Sequence, residues 1–199
     1  MDVLKNALEV ICNSVNIYLN NIDKRADSWV VLTSITDHDG SINQLTRGKI
    51  VMGVYNITRE AFASSYTPVA GVPADRDATR GLSVVAPPLY LDVHVMFMAN
   101  FTERSYPDGL AALSRLISFF QQNRVFTPQN TPDLAPELTN LTLDIENLAP
   151  VEVNYVMSML GTRYLPSVFY TLRMIPFASS AMLERRYPVQ SITSNVGPA

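Results

Sequence analysis

The sequence predicts an α+β fold, a single domain with a mixed, mostly antiparallel twisted sheet flanked by about three helices. Strict alternation of apolar and polar residues over 89–101 indicates a long strand with one fully apolar face. Apolar residues also recur at helical spacing in three separate segments. The resulting element order, α-β-β-loop-β-α-β-α-β, is typical of helices packed on a mixed or antiparallel sheet.

The N-terminal segment predicts a helix from about residue 2 to residue 19, with Asp2 at the N-cap. Two β-rich runs follow, at 29–36 and 49–57, and they predict a long hairpin. The residues between them include the Asp39-Gly40 pair, which is typical of a turn.

The acidic residues of this turn allow two interpretations. Asp37, His38 and Asp39 could together ligate a hard cation. The segment lacks the other oxygen ligands of a calcium loop, so a turn with a capping aspartate is the favoured interpretation.

Residues 58–87 show no sustained period, and a structureless loop of this length is unexpected in a compact domain. The segment is either disordered in the monomer or ordered against a partner. The second interpretation is favoured because the segment carries more apolar residues than a solvated linker requires. These are Phe62, Tyr66, Val69, Val72 and Val84.

The strand at 89–101 presents two different faces. Leu89, Leu91, Val93, Val95, Phe97, Ala99 and Phe101 form an apolar face suited to the core of the domain. The opposite face carries Tyr90, Asp92, His94, Met96, Met98 and Asn100. Because this second face is neither ordinary core nor ordinary solvent surface, we expect it to pack under a helix or a neighbouring subunit.

The remaining elements follow from the same periodicities. A helix is predicted from Tyr106 to Asn123, with an apolar stripe formed by Leu110, Leu113, Leu116, Ile117 and Phe120. The next strand should turn Leu141, Leu143 and Ile145 inward. A short helix begins at Pro150, uses Val153, Val156, Met157 and Leu160, and ends at Gly161.

A last long strand spans 165–177, and short strand or coil follows from residue 178. The predicted domain therefore covers 1–177, including the long loop at 58–87. Residues 178–199 are predicted to be a partly flexible C-terminal extension.

The composition limits the classes of function that the chain can have. The chain has 199 residues, of which 47% are apolar and 17% charged, and a net charge of −3, which opposes general binding of nucleic acid. The single Cys12 excludes an internal disulfide framework and predicts folding in a reducing cytoplasm. Cys12 lies beside the apolar stripe of the first helix, which predicts a buried, inert thiol. No apolar run is long enough for a membrane span, and the N-terminus does not resemble a signal peptide.

The sequence contains no phosphate-binding loop, dinucleotide fingerprint, nucleophile elbow or paired-histidine zinc motif. We therefore expect no enzyme activity, no cofactor and no metal. Asp92 and His94 lie on one strand face two residues apart and could form an acid-oriented general base. A polar pair at a subunit or solvent boundary is favoured because no nucleophile accompanies them. The Glu184-Arg185-Arg186 run is interpreted as a charge cluster that is solvated or faces a partner protein, rather than as a nucleic-acid site.

Several segments, taken in order, resemble the N-terminal domain of the tail-terminator or cap proteins of contractile injection systems. This group includes antifeeding prophages and virulence cassettes. Pro87, Pro88, Leu89, Leu91 and Asp92 match its proline-led strand, and 143–146 followed by Leu148 match a later strand. Tyr164, Leu165, Ser167, Val168 and Tyr170 match its final strand. Residues 123–126 match the end of the family's helix without its proline. The resemblance covers 2–177 and is weakest over 20–87.

The resemblance implies a phage tail-terminator-like fold and a non-enzymatic cap that ends the inner tube and sheath as a hexameric ring. Implied partners are further copies of the chain, the inner-tube protein and the sheath protein. The implied location is the cytoplasm on synthesis and then an injection particle, either released or membrane-anchored. A neck or baseplate adaptor of the same apparatus is the alternative, and an enzyme using Asp92 and His94 is a third. The expected partner-interface residues are Phe62, Tyr66, Val69, Val72, Arg76, Arg80, Val84, Asp92, His94, Arg185 and Arg186.

Overall fold

A computed structural model gives the structure of the chain. It describes residues 2–60, 72–73, 82–85, 89–101, 103–177 and 182–186. The chain divides into two compact units, the first formed by 1–60 and 90–176 and the second by 61–89 and 177–199. The predicted division into a domain at 1–177 and an extension at 178–199 stays a prediction.

The first unit is built on a six-stranded, curled mixed sheet with the strand order β1-β2-β5-β8-β7-β6. Its strands are β1 (Val30–Leu32), β2 (Lys49–Arg59), β5 (Leu89–Asn100), β6 (Val125–Phe126), β7 (Leu141–Glu146) and β8 (Ser167–Phe177). The long alternating segment is thus a central strand, with β2 on one side and β8 on the other. The predicted α+β fold is confirmed.

The first two strands differ from the expected hairpin. β1 pairs with β2 in parallel, with Val30 opposite Ile50, whereas β2 pairs with β5 in antiparallel. The prediction of a long hairpin is therefore wrong, and the reason lies in the connection. Residues 33–48 carry the Asp39-Gly40 turn and a 3₁₀-helix at Gln44–Thr46, and they are long enough for the crossover that parallel strands require.

Three α-helices were expected, and three are present in the described part of the chain. They are α1 (Val3–Ile22), α2 (Tyr106–Gln122) and α3 (Pro150–Met159). Asp2 occupies the N-cap of α1 without making a side-chain capping bond. Gly161 follows α3 with a φ of +64°, a left-handed conformation that suits glycine at a helix end.

The main core lies between the sheet and the helices α1 and α2. The apolar face of β5 contributes Val93, Val95, Phe97 and Ala99, all buried in this core. The Phe97 ring lies 5.3 Å from Phe120 of α2 and 5.9 Å from Tyr170 of β8, measured between ring centroids. The expected apolar face of this strand is therefore confirmed where it meets the helices.

Four residues expected to face inward do not. Leu110 and Ile117 of α2 and Ile145 of β7 are exposed, at 42%, 39% and 57%. Leu89, at the start of β5, is also exposed, at 42%. In α2 the buried stripe is rotated and includes Ala112 and Phe119 instead. The apolar spacing fits two adjacent helix faces, and only the position of the sheet selects between them.

The other face of β5 packs under α3. Met96 and Met98 are buried there with Val51, Val156, Met157 and Phe169. This finding confirms that the second face of the strand packs under a helix.

The second unit contains a three-stranded sheet with the order β3-β4-β9. Its strands are β3 (Val72–Pro73), β4 (Leu82–Val85) and β9 (Met182–Arg186). Both β3 and β4 fall within the segment 58–87, and β2 itself continues to residue 59. The expectation that this segment lacks regular structure without a partner is therefore wrong at these positions. Antiparallel pairing with a strand from the C-terminal extension supplies the backbone hydrogen bonds.

Candidate functional site

The most concentrated polar chemistry described in the first unit lies on the α3 side of the sheet, beyond the buried methionines. We call it the polar cluster, and it comprises Tyr55, Thr58, His94, Glu146 and Thr171. A break in register between Val54 and Asn56 leaves Tyr55 without a cross-strand partner on β5. Such a bulge redirects the side chain, and Tyr55 contacts both His94 and Phe169.

The Glu146 carboxylate is the centre of the polar cluster. Its Oε2 atom accepts hydrogen bonds from the Tyr55 hydroxyl at 2.7 Å and the Thr171 hydroxyl at 3.0 Å. His94 Nδ1 lies 2.9 Å from the same oxygen. Burial acts to raise the pKa of Glu146, but hydrogen bonds from His94, Tyr55 and Thr171 favour the ionised form and leave its pKa below the ordinary value.

Both ring nitrogens of His94 are engaged. A proton on Nδ1 satisfies the Glu146 carboxylate, and Nε2 lies 2.9 Å from the Thr58 hydroxyl. In the neutral tautomer assigned from these contacts, Nε2 accepts the Thr58 proton. The imidazole is thus held as a structural link between β2, β5 and β7.

The acid hydrogen-bonded to His94 is Glu146 and not Asp92, so the disfavoured alternative, an acid-oriented general base formed by Asp92 and His94, names the wrong acid. The acid beside Asp92 is Glu60, which is 5% exposed. Burial together with the hydrogen bond and charge of Glu60 raises the pKa of Asp92 to about 6, and the charges of Arg173 and His94 act in the opposite direction. The Asp92 Oδ1 atom is buried without a hydrogen bond from any described residue.

A third polar group lies on the outer strands of the sheet. Asp144 of β7 forms ion pairs with Arg124 and with Arg173 of β8, where Arg173 Nε lies 3.4 Å from Asp144 Oδ2. Arg124 Nε also donates to Asp144 Oδ1 at 2.7 Å. These pairs tie β7 to β8 and to the residue before β6.

An open groove of about 630 Å³ lies beside α3. Its lining includes Pro150, Val153, Met157, Tyr164 and Phe169. On the outer side of the same helix, Val151, Tyr155 and Met159 are at least 60% exposed. This is an apolar surface of the kind that binds other macromolecules.

Two residues for which the sequence predicts a structural role, Asp39 and Cys12, do have one. Asp39 Oδ1 accepts a hydrogen bond from the Ser41 amide at 2.9 Å, and Gly40 has a φ of +80°. The acidic segment is therefore a turn with a capping aspartate. Cys12 is buried against β1, and burial raises the pKa of its thiol to about 11, as expected of an inert buried thiol.

The expected interface residues fall into three groups. Asp92 and His94 lie on β5 as described. Val72, Val84, Arg185 and Arg186 lie on the paired strands β3, β4 and β9, so the structure brings the long segment and the C-terminal extension into one sheet. Phe62, Tyr66, Val69, Arg76 and Arg80 lie outside the described residues.

Sequence reasoning missed Glu60, Tyr55 and Glu146 as partners of the polar β5 residues. The alternation of β7 does place Glu146 on an outward face. However, Glu146 lies 52 residues from His94, and β8 separates their strands. No local spacing could connect them.

Within the part of the chain that the structure describes, no cluster of three or more His, Cys, Asp or Glu side chains could hold a metal ion. No described helix is long and apolar enough to span a bilayer.

The architecture places the chain in a class of α+β domains in which a curled, six-stranded mixed sheet carries two helices on one face and one on the other. Residues 6–191 match the Pvc16 N-terminal domain family, and the chain belongs to that family.

Two solved structures share this fold. One is the sheath/tube terminator of an extracellular contractile injection system (PVC) in the extended state. It aligns with a TM-score of 0.62 at 13% identity, over 100% of this chain and 65% of that chain. The other is the tube-terminating cap of the anti-feeding prophage, with a TM-score of 0.54 at 15% identity over 92% of this chain and 61% of that chain. No curated protein sequence matches. The chain thus spans slightly less than two thirds of either structural relative.

Proposed function

We propose that this chain is a non-enzymatic structural cap that ends the inner tube and sheath of a contractile injection system. The observation that carries the proposal is the family match over 6–191, together with alignment of the whole chain on a sheath/tube terminator. The portions of the two relatives that this chain does not cover contribute nothing to the proposal.

A structural role is supported by the state of the reactive side chains. Both nitrogens of His94 are engaged by Glu146 and Thr58. The Cys12 thiol is buried and its pKa is raised, which disfavours the thiolate that acts as a nucleophile. The Tyr55 hydroxyl donates to Glu146, and burial followed by that carboxylate raises its pKa well above the ordinary value. In this proposal, these groups stabilise the fold and do not take part in catalysis.

We propose that the partners are other copies of the chain, the inner-tube protein and the sheath protein, and that the assembly is a hexameric ring. A closed ring satisfies its own lateral contacts and so limits lateral growth. If the surface of the ring that faces away from the tube does not reproduce the binding surface at the tube's free end, no further tube ring can bind. Axial growth then also stops. The chain would be made in the cytoplasm and then incorporated into the particle.

We further propose that the second unit carries the contacts with neighbouring subunits. In its sheet, β4, which carries Val84, pairs with β9, which carries Arg185 and Arg186, although the two strands are more than 90 residues apart in sequence. The strand β3, which carries Val72, pairs with β4. The interface would also include Phe62, Tyr66, Val69, Arg76 and Arg80, and we propose Asp92 and His94 of the first unit as further contact residues.

Imaging the chain on assembled particles tests the proposed function. With the chain labelled, we expect density at the end of the extended sheath opposite the baseplate. Without it, tube and sheath lengths should become broadly distributed. Label at the baseplate end would instead support the adaptor. Unchanged particle lengths without the chain would contradict the cap.

Light scattering of the purified chain tests the ring. We expect a mass near six times the 22.1 kDa of one chain, alone or after addition of the inner-tube protein. The double variant Arg185→Glu, Arg186→Glu should reduce the assembled fraction. Lys5→Glu on the exposed surface of α1 is the matched charge-reversal control and should not. Equal assembly of both variants would contradict the proposed interface.

A further inference from the structure

The outer side of α3 is apolar although it is exposed in the single chain. Val151, Tyr155 and Met159 are exposed and lie four residues apart, so they form one row along the helix. The opposite side of the same helix buries Val156 and Met157. A helix that is apolar on both sides is typical of a helix that is covered on both sides.

The outer side of α2 carries a second apolar row. Tyr106, Leu110 and Ile117 are exposed there, at spacings of four and seven residues. The hydroxyls of Ser114 and Ser118 on this side donate to backbone carbonyls one turn earlier in the helix. Because these donors are already used within the helix, the outer side of α2 is close to apolar in its chemistry.

The outer side of α1 is the contrast. Its exposed positions include Lys5, Glu9 and Asn13, with Ile17 as an isolated apolar residue, and Lys5 pairs with Glu9. Charged pairs at this spacing are typical of a solvated helix face. The apolar outer rows of α2 and α3 are therefore not a general property of the helices in this chain.

Each apolar row ends beside one charge that has no ion-pair partner within the described residues. Arg163 follows α3 and lines the groove beside it, and Asp108 lies in the first turn of α2. Glu152, the acid of α3, already accepts from the Ala149 amide at the start of the helix. The two rows are thus complementary in charge, with a cation beside one and an anion beside the other.

The two rows lie on opposite faces of the six-stranded sheet. The helix α2 packs with α1 on one face, and α3 packs on the other. One copy of the chain can therefore present its α3 row to the α2 row of a second copy, which presents its own α3 row to a third. Such a head-to-tail contact joins copies into a ring when the rotation closes.

An antiparallel crossing of the two helices brings both the apolar rows and the charges together. Arg163 lies beyond the C-terminal end of α3, whereas Asp108 lies at the N-terminal end of α2. In the antiparallel arrangement the end of α3 that carries Met159 meets the end of α2 that carries Tyr106, and Arg163 lies beside Asp108. A parallel crossing would place the two charges at opposite ends of the contact.

We propose that α3 of one copy packs against α2 of a second copy, with Arg163 paired to Asp108 across the contact. The contact rests on the proposed ring, and the first unit makes it in addition to the contacts proposed for the second unit. The occupant of the α3 surface is thus a second copy of this chain rather than the tube or the sheath.

Self-association of the full chain, measured by sedimentation where the unmodified chain assembles, tests the contact. Tyr155→Glu and Leu110→Glu each place a charge in one row and should weaken self-association by at least about tenfold. Asn13→Glu adds the same charge on the exposed side of α1 and should leave self-association unchanged. Equal association of the three variants would overturn the proposal. A chain that stays monomeric, alone and with the inner-tube protein, would also overturn it.

Mixing the two row variants tests the head-to-tail geometry. The Tyr155→Glu chain keeps its α2 row and the Leu110→Glu chain keeps its α3 row. An equimolar mixture therefore has one intact contact per pair and should form dimers that neither variant forms alone. A mixture that contains no such dimers would overturn the proposal.

A charge exchange tests the pairing of Arg163 with Asp108 and does not depend on the folding of Leu110→Glu. Arg163→Asp and Asp108→Arg each place like charges across the contact and should each weaken self-association. The double variant Arg163→Asp, Asp108→Arg restores opposite charges and should recover most of the loss. A double variant that associates no better than either single variant would overturn the proposal.

The outcomes also separate this contact from the proposed cap. If the contact is wrong and the cap is right, Tyr155→Glu leaves self-association unchanged while the labelled chain still lies at the end of the sheath. If Tyr155→Glu abolishes only the binding of the inner-tube protein, the α3 row contacts the tube and the proposal is overturned. If the cap is wrong and the contact is right, particle lengths do not depend on the chain while the row variants still dissociate its copies.

Discussion

The two faces of β5 bury side chains of different kinds. On the face toward α1 and α2, Val93, Val95 and Phe97 are fully buried in a purely apolar core. On the face toward α3, burial begins with Met96 and Met98 and gives way to His94 and then Asp92. Along this single face, β5 thus passes from buried methionines to the polar cluster and then to Asp92, whose pKa is raised by burial and by Glu60.

The two faces of β5 therefore stabilise the sheet through different interactions. The apolar face depends on volume and shape, so its stability should be insensitive to pH. The polar face depends on protons and hydrogen bonds, and its two acids respond in opposite directions. Glu146 has a lowered pKa and Asp92 a raised one, so mild acid tightens one site without yet weakening the other.

The largest expected effect is on the apolar face. Phe97→Ala removes a fully buried ring that contacts Phe120 and Tyr170, and should lower the free energy of unfolding by about 3–5 kcal/mol. Chemical denaturation measures this loss. Ile17→Ala, at a position that is 64% exposed on α1, is the control and should change stability by less than about 0.5 kcal/mol. Similar losses in both variants would contradict this description of the core.

The methionine layer under α3 should be the next most sensitive. Met98→Ala opens a cavity between β5 and α3 and should cost about 2–3 kcal/mol. Met98→Leu nearly conserves volume and should cost less than about 1.5 kcal/mol. A cost for the alanine variant as small as that of the leucine variant would show that α3 closes over the cavity.

The centre of the polar cluster should contribute less, but with pH dependence. Glu146→Gln conserves shape and removes the charge that accepts from His94, Tyr55 and Thr171, and should cost about 1–2 kcal/mol at pH 7. Because the folded pKa of Glu146 is lowered, its contribution is present above the ordinary pKa of 4.5 and is lost as pH falls below it. Thermal unfolding of both proteins at pH 7 and pH 3 should therefore show the difference narrowing in acid. A constant difference would contradict the ionised role of Glu146.

The smallest expected effect concerns one hydroxyl of the same cluster. Thr171→Val keeps the shape of the side chain and removes one of the three bonds to Glu146, at a cost of about 0.5–1.5 kcal/mol. Thr142→Val on β7 makes the same change away from Glu146 and is the control. Equal costs at 142 and 171 would mean that the bond to Glu146 contributes nothing specific.

Much of the fold could be predicted because its signals are local. The alternation at 89–101 directly reflects the two sides of a strand, and the helix after Pro150 ends at a glycine that adopts the left-handed conformation. The rotated stripe of α2 and the parallel pairing of β1 could not be predicted from the sequence. Each depends on which other element packs against it or pairs with it in the folded chain. The expected interface over 58–87 and at residues 185 and 186 stays a prediction.

The sequence by itself determined the class of the fold, the two unlike faces of β5 and the structural character of the Asp39 turn and of Cys12. Periodicity, turn chemistry and residue type act over a few positions, so they can be read along the chain. Only the tertiary structure decided that His94 is held by Glu146 and that Asp92 faces Glu60. These pairings depend on strand order, which brings together residues 52 and 32 positions apart in sequence and determines which neighbours shift the pKa of each acid.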